Sequence, residues 1–175
     1  MDPFNQDTAT LLRDLLRKHS HRIVFAESCT AGLIASSLGR IPGVSEWLAG
    51  SAVVYQIETK AEWLGVDRQA LADPGPVSRV VIEQMARGVL EKTPHATLSA
   101  SITGHLGPDA PIEQDGVAWS SIAVRSDDTV SVVSRMLQLD DGLPLGTDRI
   151  AERRHLRQIR AVRLGLQHCI DELTG

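Results

Sequence analysis

The sequence predicts an α/β protein, a three-layer α/β/α sandwich with a mixed, mainly parallel sheet. Three observations lead there. Short apolar runs alternate with amphipathic helical stretches through the first part of the chain, and strands separated by helices pair in parallel through crossovers. Ser126-Asp127-Asp128 then joins two β-rich runs, a hairpin that adds an antiparallel portion. A long Arg-rich amphipathic stretch closes the chain.

In order, Leu11, Leu12, Leu15 and Leu16 follow helical spacing between Thr8 and Lys18. Ile23-Val24-Phe25-Ala26 reads as a buried strand running into Glu27-Ser28-Cys29-Thr30. A helix is expected from about Ala31 to Leu38, because Ser and Thr favour the position before an apolar-periodic run. Ile41-Pro42-Gly43-Val44 breaks the pattern, and Ser45 is placed to cap a helical stretch through Leu48. Ser51 to Ile57 reads as a strand carrying Val53, Val54 and Tyr55, and Thr59 to Leu64 as a helix.

Asp73-Pro74-Gly75-Pro76 is a turn. The helix after it, Val77 to Leu90, is capped by Ser78 and turns Val80, Val81, Met85 and Val89 inward. Thr97 to Ile102 is a strand leading into Thr103-Gly104-His105-Leu106-Gly107-Pro108, followed by an exposed loop from Asp109 to Gly116. Val117 to Val124 and Thr129 to Leu137 form the hairpin. Asp148 to Leu173 is the closing helix, with Ile150, Ile159, Val162 and Leu166 as core contacts.

The 175 residues fit one domain spanning positions 1–175. With 42% hydrophobic and 23% charged residues, intrinsic disorder is excluded. A net charge of −4 gives no overall basic field for nucleic acid, and none is expected as a partner. Cys29 and Cys169 make no disulfide framework. The N-terminal residues lack a basic and apolar leader, and no apolar run is long enough to span a bilayer. A cytoplasmic protein without membrane contact is expected. No HExxH, DxDxDG or Cys/His cluster occurs, so neither metal nor cofactor is expected.

Three polar loops follow strands: Glu27 to Thr30, Gln56 to Thr59 and Thr103 to Pro108. In open α/β sheets such loops share one ligand-binding rim. Ser28 and Thr30 sit at a helix start, where free N–H groups suit an anion such as phosphate, or where they act only as caps. Gly104 and Gly107 bring backbone amides to a ligand, or merely make a turn. Ser45 is either a cap or a nucleophile, and a serine needs a base beside it. Lys60 is a surface charge or, if buried, a base with a lowered pKa. Cys29 is a rival nucleophile or a small buried residue. Arg149, Arg153, Arg154, Arg157, Arg160 and Arg163 read as a solvated helix face rather than a nucleic-acid site.

Ala26-Glu27-Ser28-Cys29-Thr30-Ala31-Gly32-Leu33 is similar to the AESCT[GA]G block of the C-terminal domain of the competence/damage-inducible protein CinA. Ile41-Pro42-Gly43-Val44-Ser45, Val54-Tyr55, Lys60, Leu64-Gly65-Val66 and Gly75-Pro76-Val77-Ser78 continue the resemblance. Thr103-Gly104 with Gly107-Pro108, Gly116 with Trp119, and Asp148-Arg149 complete it, in order along most of the chain. The stand-alone members deamidate nicotinamide mononucleotide. The resemblance therefore implies a CinA-like fold, a homodimer, a nucleotide substrate and an amidohydrolase of pyridine-nucleotide salvage that needs no metal or cofactor. The full-length family's larger N-terminal domain is not expected here, nor the second activity it would carry.

The family's serine–lysine pair is placed on Ser45 and Lys60, fifteen positions apart. Tyr55 joins them as a catalytic residue, and Cys29 becomes structural. Backbone N–H groups from Gly43 to Glu46 would stabilise the oxyanion. Ser28, Thr30, Gly43, Thr103, Gly104, His105 and Arg149 would bind substrate, Arg149 holding an anionic group. The chain departs from the family at Thr103-Gly104-His105-Leu106-Gly107-Pro108-Asp109-Ala110, which usually reads TGIAGPGG, at Gln56-Ile57-Glu58 and at Glu113-Gln114-Asp115-Gly116. These changes leave room for a different amide substrate or for a mononucleotide-binding module without turnover.

Overall fold

The computed structural model describes residues 6–127, 129–140 and 150–175. The expected Arg149 site and the Asp148 helix start lie outside them. A five-stranded sheet has strand order β2-β1-β3-β4-β5. Its strands are β1 (Ile23–Glu27), β2 (Leu48–Val53), β3 (Leu98–Gly104), β4 (Val117–Ser126) and β5 (Thr129–Gln138). β1 pairs in parallel with β2 and β3, whereas β3–β4 and β4–β5 are antiparallel. The mixed sheet is as the sequence predicts, with two parallel and two antiparallel pairings, the antiparallel ones the longer.

Two apolar clusters separate the layers. On one face, α1 (Gln6–His19), α2 (Leu33–Gly39) and α6 (Ile150–Thr174) enclose Leu12, Leu16, Phe25, Ile34, Ile102 and Leu166. On the other, α3 (Ile57–Leu64), α4 (Arg68–Ala72) and α5 (Arg79–Glu91) enclose Val24, Val54, Leu64, Ile82, Met85 and Ala123. Fully burying a Leu, Ile, Val, Phe or Met side chain contributes roughly 1.5–3 kcal/mol, so these two layers carry the fold. β3 is also stitched to α5 by buried hydroxyls: Ser99 donates to Ala86 O at 2.7 Å and Ser101 to Ile82 O at 2.9 Å.

Some boundaries differ from expectation, each for a local reason. The second strand stops at Val53, not Ile57, because its neighbour ends at Glu27, whose carbonyl takes the Val54 N–H. The stretch after Ser45 is only a 3₁₀ turn, Val44–Glu46. α2 starts at Leu33 behind Gly32, which has a φ of 94° and no side-chain cap. Ser78 caps α5 as expected, accepting from Val81 N. Val80 and Ile150 face outward, at 38% and 58% exposure. On α6, Ala161 and Gly165 occupy the inward stripe beside Val162 and Leu166.

Candidate active site

The parallel half of the sheet places the ends of β1 and β3 at one rim. There a cleft of about 400 Å³ opens between the β1–α2 turn, the start of α3 and the β3–β4 loop. Ser28, Tyr55, Lys60, Thr103, Gly104 and His105 all line it. These six candidates from the sequence are brought together.

At the floor lies Lys60, 2% exposed. Its Nζ donates to Ser28 Oγ at 2.8 Å, to Val54 O at 2.9 Å and to Tyr55 O at 3.3 Å. Burial lowers the Lys60 pKa to about 8, since a cation loses hydration there, and the neighbouring Cys29 opposes this only in part. The surface-charge reading of Lys60 is thereby excluded. Two carbonyls take two N–H groups of the amine and orient the third position at the serine hydroxyl. A neutral Lys60 would direct its lone pair at the Ser28 O–H.

Ser28 is held as firmly. Its N–H donates to Ile102 O at 3.0 Å, and the turn behind it wraps the buried Glu27 carboxylate. That carboxylate accepts from Thr30 Oγ1 at 2.7 Å, from the N–H groups of Gly32, Ile34 and Ala35 at 2.9–3.0 Å, and from Ser51 Oγ at 3.2 Å. The start of α2 therefore already holds an anion, the protein's own. This corrects the expected role of Thr30: it is fully buried on Glu27, and the N–H groups that would attract a phosphate there are occupied. Glu27 itself was missed, although a carboxylate a few residues before a helix start is a readable signal.

Ser45 is not brought to Lys60. Leu48, at the start of β2, pairs with Ile23 at the start of β1, whereas Ser28 follows the other end, where Glu27 pairs with Val53. Five strand residues at about 3.3 Å each put the two serines roughly 17 Å apart. Ser45 is exposed and lines a separate depression with Arg22, Glu46, Trp47, Leu48, Ala49 and His95. Gly43, with its φ of 80° at the start of the same 3₁₀ turn, goes with it. The Gly43–Glu46 amides thus lie away from Lys60, and the Ser45–Lys60 pairing is corrected to Ser28–Lys60. Serine-to-lysine spacing along the chain carried no information about which end of the parallel pair each residue occupies.

The remaining walls come from distant segments. Thr103 is 1% exposed, with its hydroxyl donated to Pro76 O at 3.0 Å. Gly104 is required by close approach, because a Cβ there would lie 2.6 Å from Ala118 Cβ. His105 lines the cleft, its pKa lowered by burial against the opposing pull of Gln114 and Asp115. Cys29 is buried and its thiol pushed up to about 12, so the rival-nucleophile reading lapses. Arg154, read as part of a solvated face, instead lines the cleft. Its Nη2 donates to Tyr55 Oη at 2.6 Å and its Nη1 to Gly107 O. Among the described residues no carboxylate pairs with Arg154, which leaves its charge directed at the cleft. No group of three His, Cys, Asp or Glu among them is placed to hold a metal ion. No helix among them is long and apolar enough to cross a membrane.

Comparison with known proteins agrees with this architecture. A CinA-like protein of Fervidobacterium nodosum is 37% identical over 127 residues, covering 73% of this chain and 31% of that protein. The chain thus spans about a third of that relative's length. The nicotinamide-nucleotide amidohydrolase PncC of Pseudomonas putida is 36% identical over 121 residues, 68% of this chain and 74% of that one. The crystal structure of the competence damage-inducible protein A from Klebsiella pneumoniae superposes with a TM-score of 0.82 at 20% identity, covering 97% and 96% of the two chains. Residues 5–143 match the CinA C-terminal domain, and the chain belongs to that family.

Proposed function

We propose that this protein is an amidohydrolase that deamidates nicotinamide mononucleotide to nicotinate mononucleotide and ammonia, as a step of pyridine-nucleotide salvage. The observation that carries the reading is the 2.8 Å hydrogen bond between Lys60 Nζ and Ser28 Oγ at the floor of the cleft. The similarity to an enzyme named nicotinamide-nucleotide amidohydrolase supports the substrate.

In this mechanism neutral Lys60 accepts the Ser28 proton as the hydroxyl oxygen attacks the carboxamide carbon. A pKa of about 8 leaves a useful neutral fraction near neutrality and still makes the amine a competent base. The new ammonium stands beside the developing negative charge, where a water-poor site strengthens the attraction. Lys60 then returns the proton to the departing nitrogen, and ammonia leaves an ester on Ser28. Water, deprotonated by the same amine, hydrolyses the ester and restores the serine. Arg154 holds the substrate's phosphate, since its guanidinium offers donors at the cleft and no carboxylate among the described residues pairs with it.

The test is ammonia release from nicotinamide mononucleotide by the purified protein, with nicotinate mononucleotide identified as coproduct. Stoichiometric formation of both is expected. Tight binding of the mononucleotide without ammonia would instead identify a binding module, the reading that the His105 and Asp109 substitutions in the cleft wall would favour. The same assay at different protein concentrations, beside sedimentation, tests the proposed homodimer.

A further inference from the structure

The β3–β4 loop supplies one wall of the cleft, and its own backbone bonds close its base and one short turn, where Gln114 N–H donates to Pro111 O at 2.8 Å. His105 N–H donates to Val117 O at 2.8 Å and Gly116 N–H to His105 O at 3.0 Å. The span between is tied to the body of the protein mainly through Arg157 of α6, which is 2% exposed. Its Nε donates to Asp140 Oδ1 at 2.7 Å. Nη1 donates to Leu106 O at 3.0 Å and to Asp115 Oδ1 at 2.7 Å. Nη2 donates to Asp115 Oδ2 at 2.9 Å and to Asp140 Oδ2 at 2.6 Å. All five guanidinium N–H groups are used, which only the planar fork of arginine allows.

Three segments meet on this group: the start of the loop at Leu106, its end at Asp115, and the chain leaving β5 at Asp140. The fit is close. A Cβ on Gly107 would lie 2.8 Å from Arg157 Nη1, and one on Gly116 2.7 Å from Asp140 Oδ2. Arg154 sits three residues earlier on the same helix and crosses the loop's rim to Gly107 O and Tyr55 Oη. Arg157 is buried while Asp115 and Asp140 are about a third exposed, and such an ion cluster is a weak source of net stability, because desolvation of the arginine offsets much of the attraction. Its distinctive product is fixed geometry.

We propose that Arg157, Asp115 and Asp140 form a positioning clamp that sets substrate affinity, by fixing the His105–Pro108 wall and the placement of Arg154 over it. The clamp touches neither Ser28 nor Lys60 and takes no part in activating the nucleophile. The proposal rests on the amidohydrolase reading for its kinetic test, and on the loop alone for its structural one.

The experiment is steady-state deamidation of nicotinamide mononucleotide by Arg157→Met and Asp140→Asn, each shown folded by its thermal melt. KM is expected to rise about tenfold in Arg157→Met with kcat within about threefold, the pattern of lost binding rather than lost chemistry. Asp140→Asn keeps the Arg157–Asp115 pair and gives a smaller rise, and it carries the test if Arg157→Met does not fold. An unchanged KM, or a fall in kcat alone, overturns the clamp. If the wild-type protein releases no ammonia, the functional reading falls. The clamp is then judged by hydrogen exchange in Asp140→Asn: faster exchange confined to residues 106–116 supports it, and unchanged exchange there overturns it.

Discussion

Replacing Lys60 by Met keeps the length of the buried side chain and removes its proton. The consequence for stability depends on pH in a direction the structure dictates. Burial depresses the folded-state pKa from 10.5 to about 8. Between those values the unfolded chain holds a proton that the folded chain does not, so unfolding free energy rises with pH across this window. At 1.36 kcal/mol per pH unit the contribution is roughly 3 kcal/mol. Loss of the Nζ bonds to Val54 O and Tyr55 O adds a pH-independent offset to the variant. Urea denaturation of both proteins from pH 7 to pH 10.5 separates the two effects. The wild type should gain roughly 3 kcal/mol on Lys60→Met across that range, with equal m-values. Parallel stability profiles, or a wild type that loses ground as pH rises, would refute a buried lysine of lowered pKa. In the proposed mechanism the same proton governs activity, so wild-type kcat/KM should climb through about pH 8 and then level.

Two further outcomes are expected elsewhere. Glu27→Gln turns one acceptor oxygen into a donor facing the N–H groups of α2 or the hydroxyls of Thr30 and Ser51. Losing charge assistance and stranding one donor should cost about 2–4 kcal/mol, read by thermal unfolding as a shift of roughly 4–16 °C for a chain of this size; an unchanged melt contradicts the capping role. His168 is fully buried with Nδ1 on Ser120 Oγ at 2.9 Å and Nε2 without a partner among the described residues. Burial lowers its pKa to about 4, so its contribution is lost as pH falls from 6.5 towards 4. Relative to His168→Asn, the wild type should lose roughly 3 kcal/mol between pH 7 and pH 4 in denaturant titrations.

The fold was legible because its signals are local. Amphipathic spacing in α1 and α5, the Ser78 cap and the hairpin turn each reflect a few neighbouring residues, and together they identify a two-faced mixed sheet. The cleft was legible in part for the same reason: loops after strands share a rim, and Ser28, Tyr55, Lys60, Thr103, Gly104 and His105 all reach it. The pairing within it was not. Which serine meets Lys60 depends on strand direction and register, and Ser45 precedes its strand where Ser28 follows one. Arg154 and Arg157 were hidden differently. A helical run of arginines resembles a solvated face until the acceptors that bury it, Asp115 and Asp140, are known to lie across the sheet's end. Glu27 was masked by the Ser and Thr beside it, which are commoner caps.

The central claim is that Ser28, not Ser45, is the nucleophile served by Lys60. Ammonia release from nicotinamide mononucleotide by Ser28→Ala and Ser45→Ala, measured beside the wild type, tests it most directly. Ser28→Ala should lose about a thousandfold or more, as loss of a nucleophile does in other hydrolases, while Ser45→Ala stays within about twofold of wild type. Full activity in Ser28→Ala, or its loss in a folded Ser45→Ala, would contradict the account.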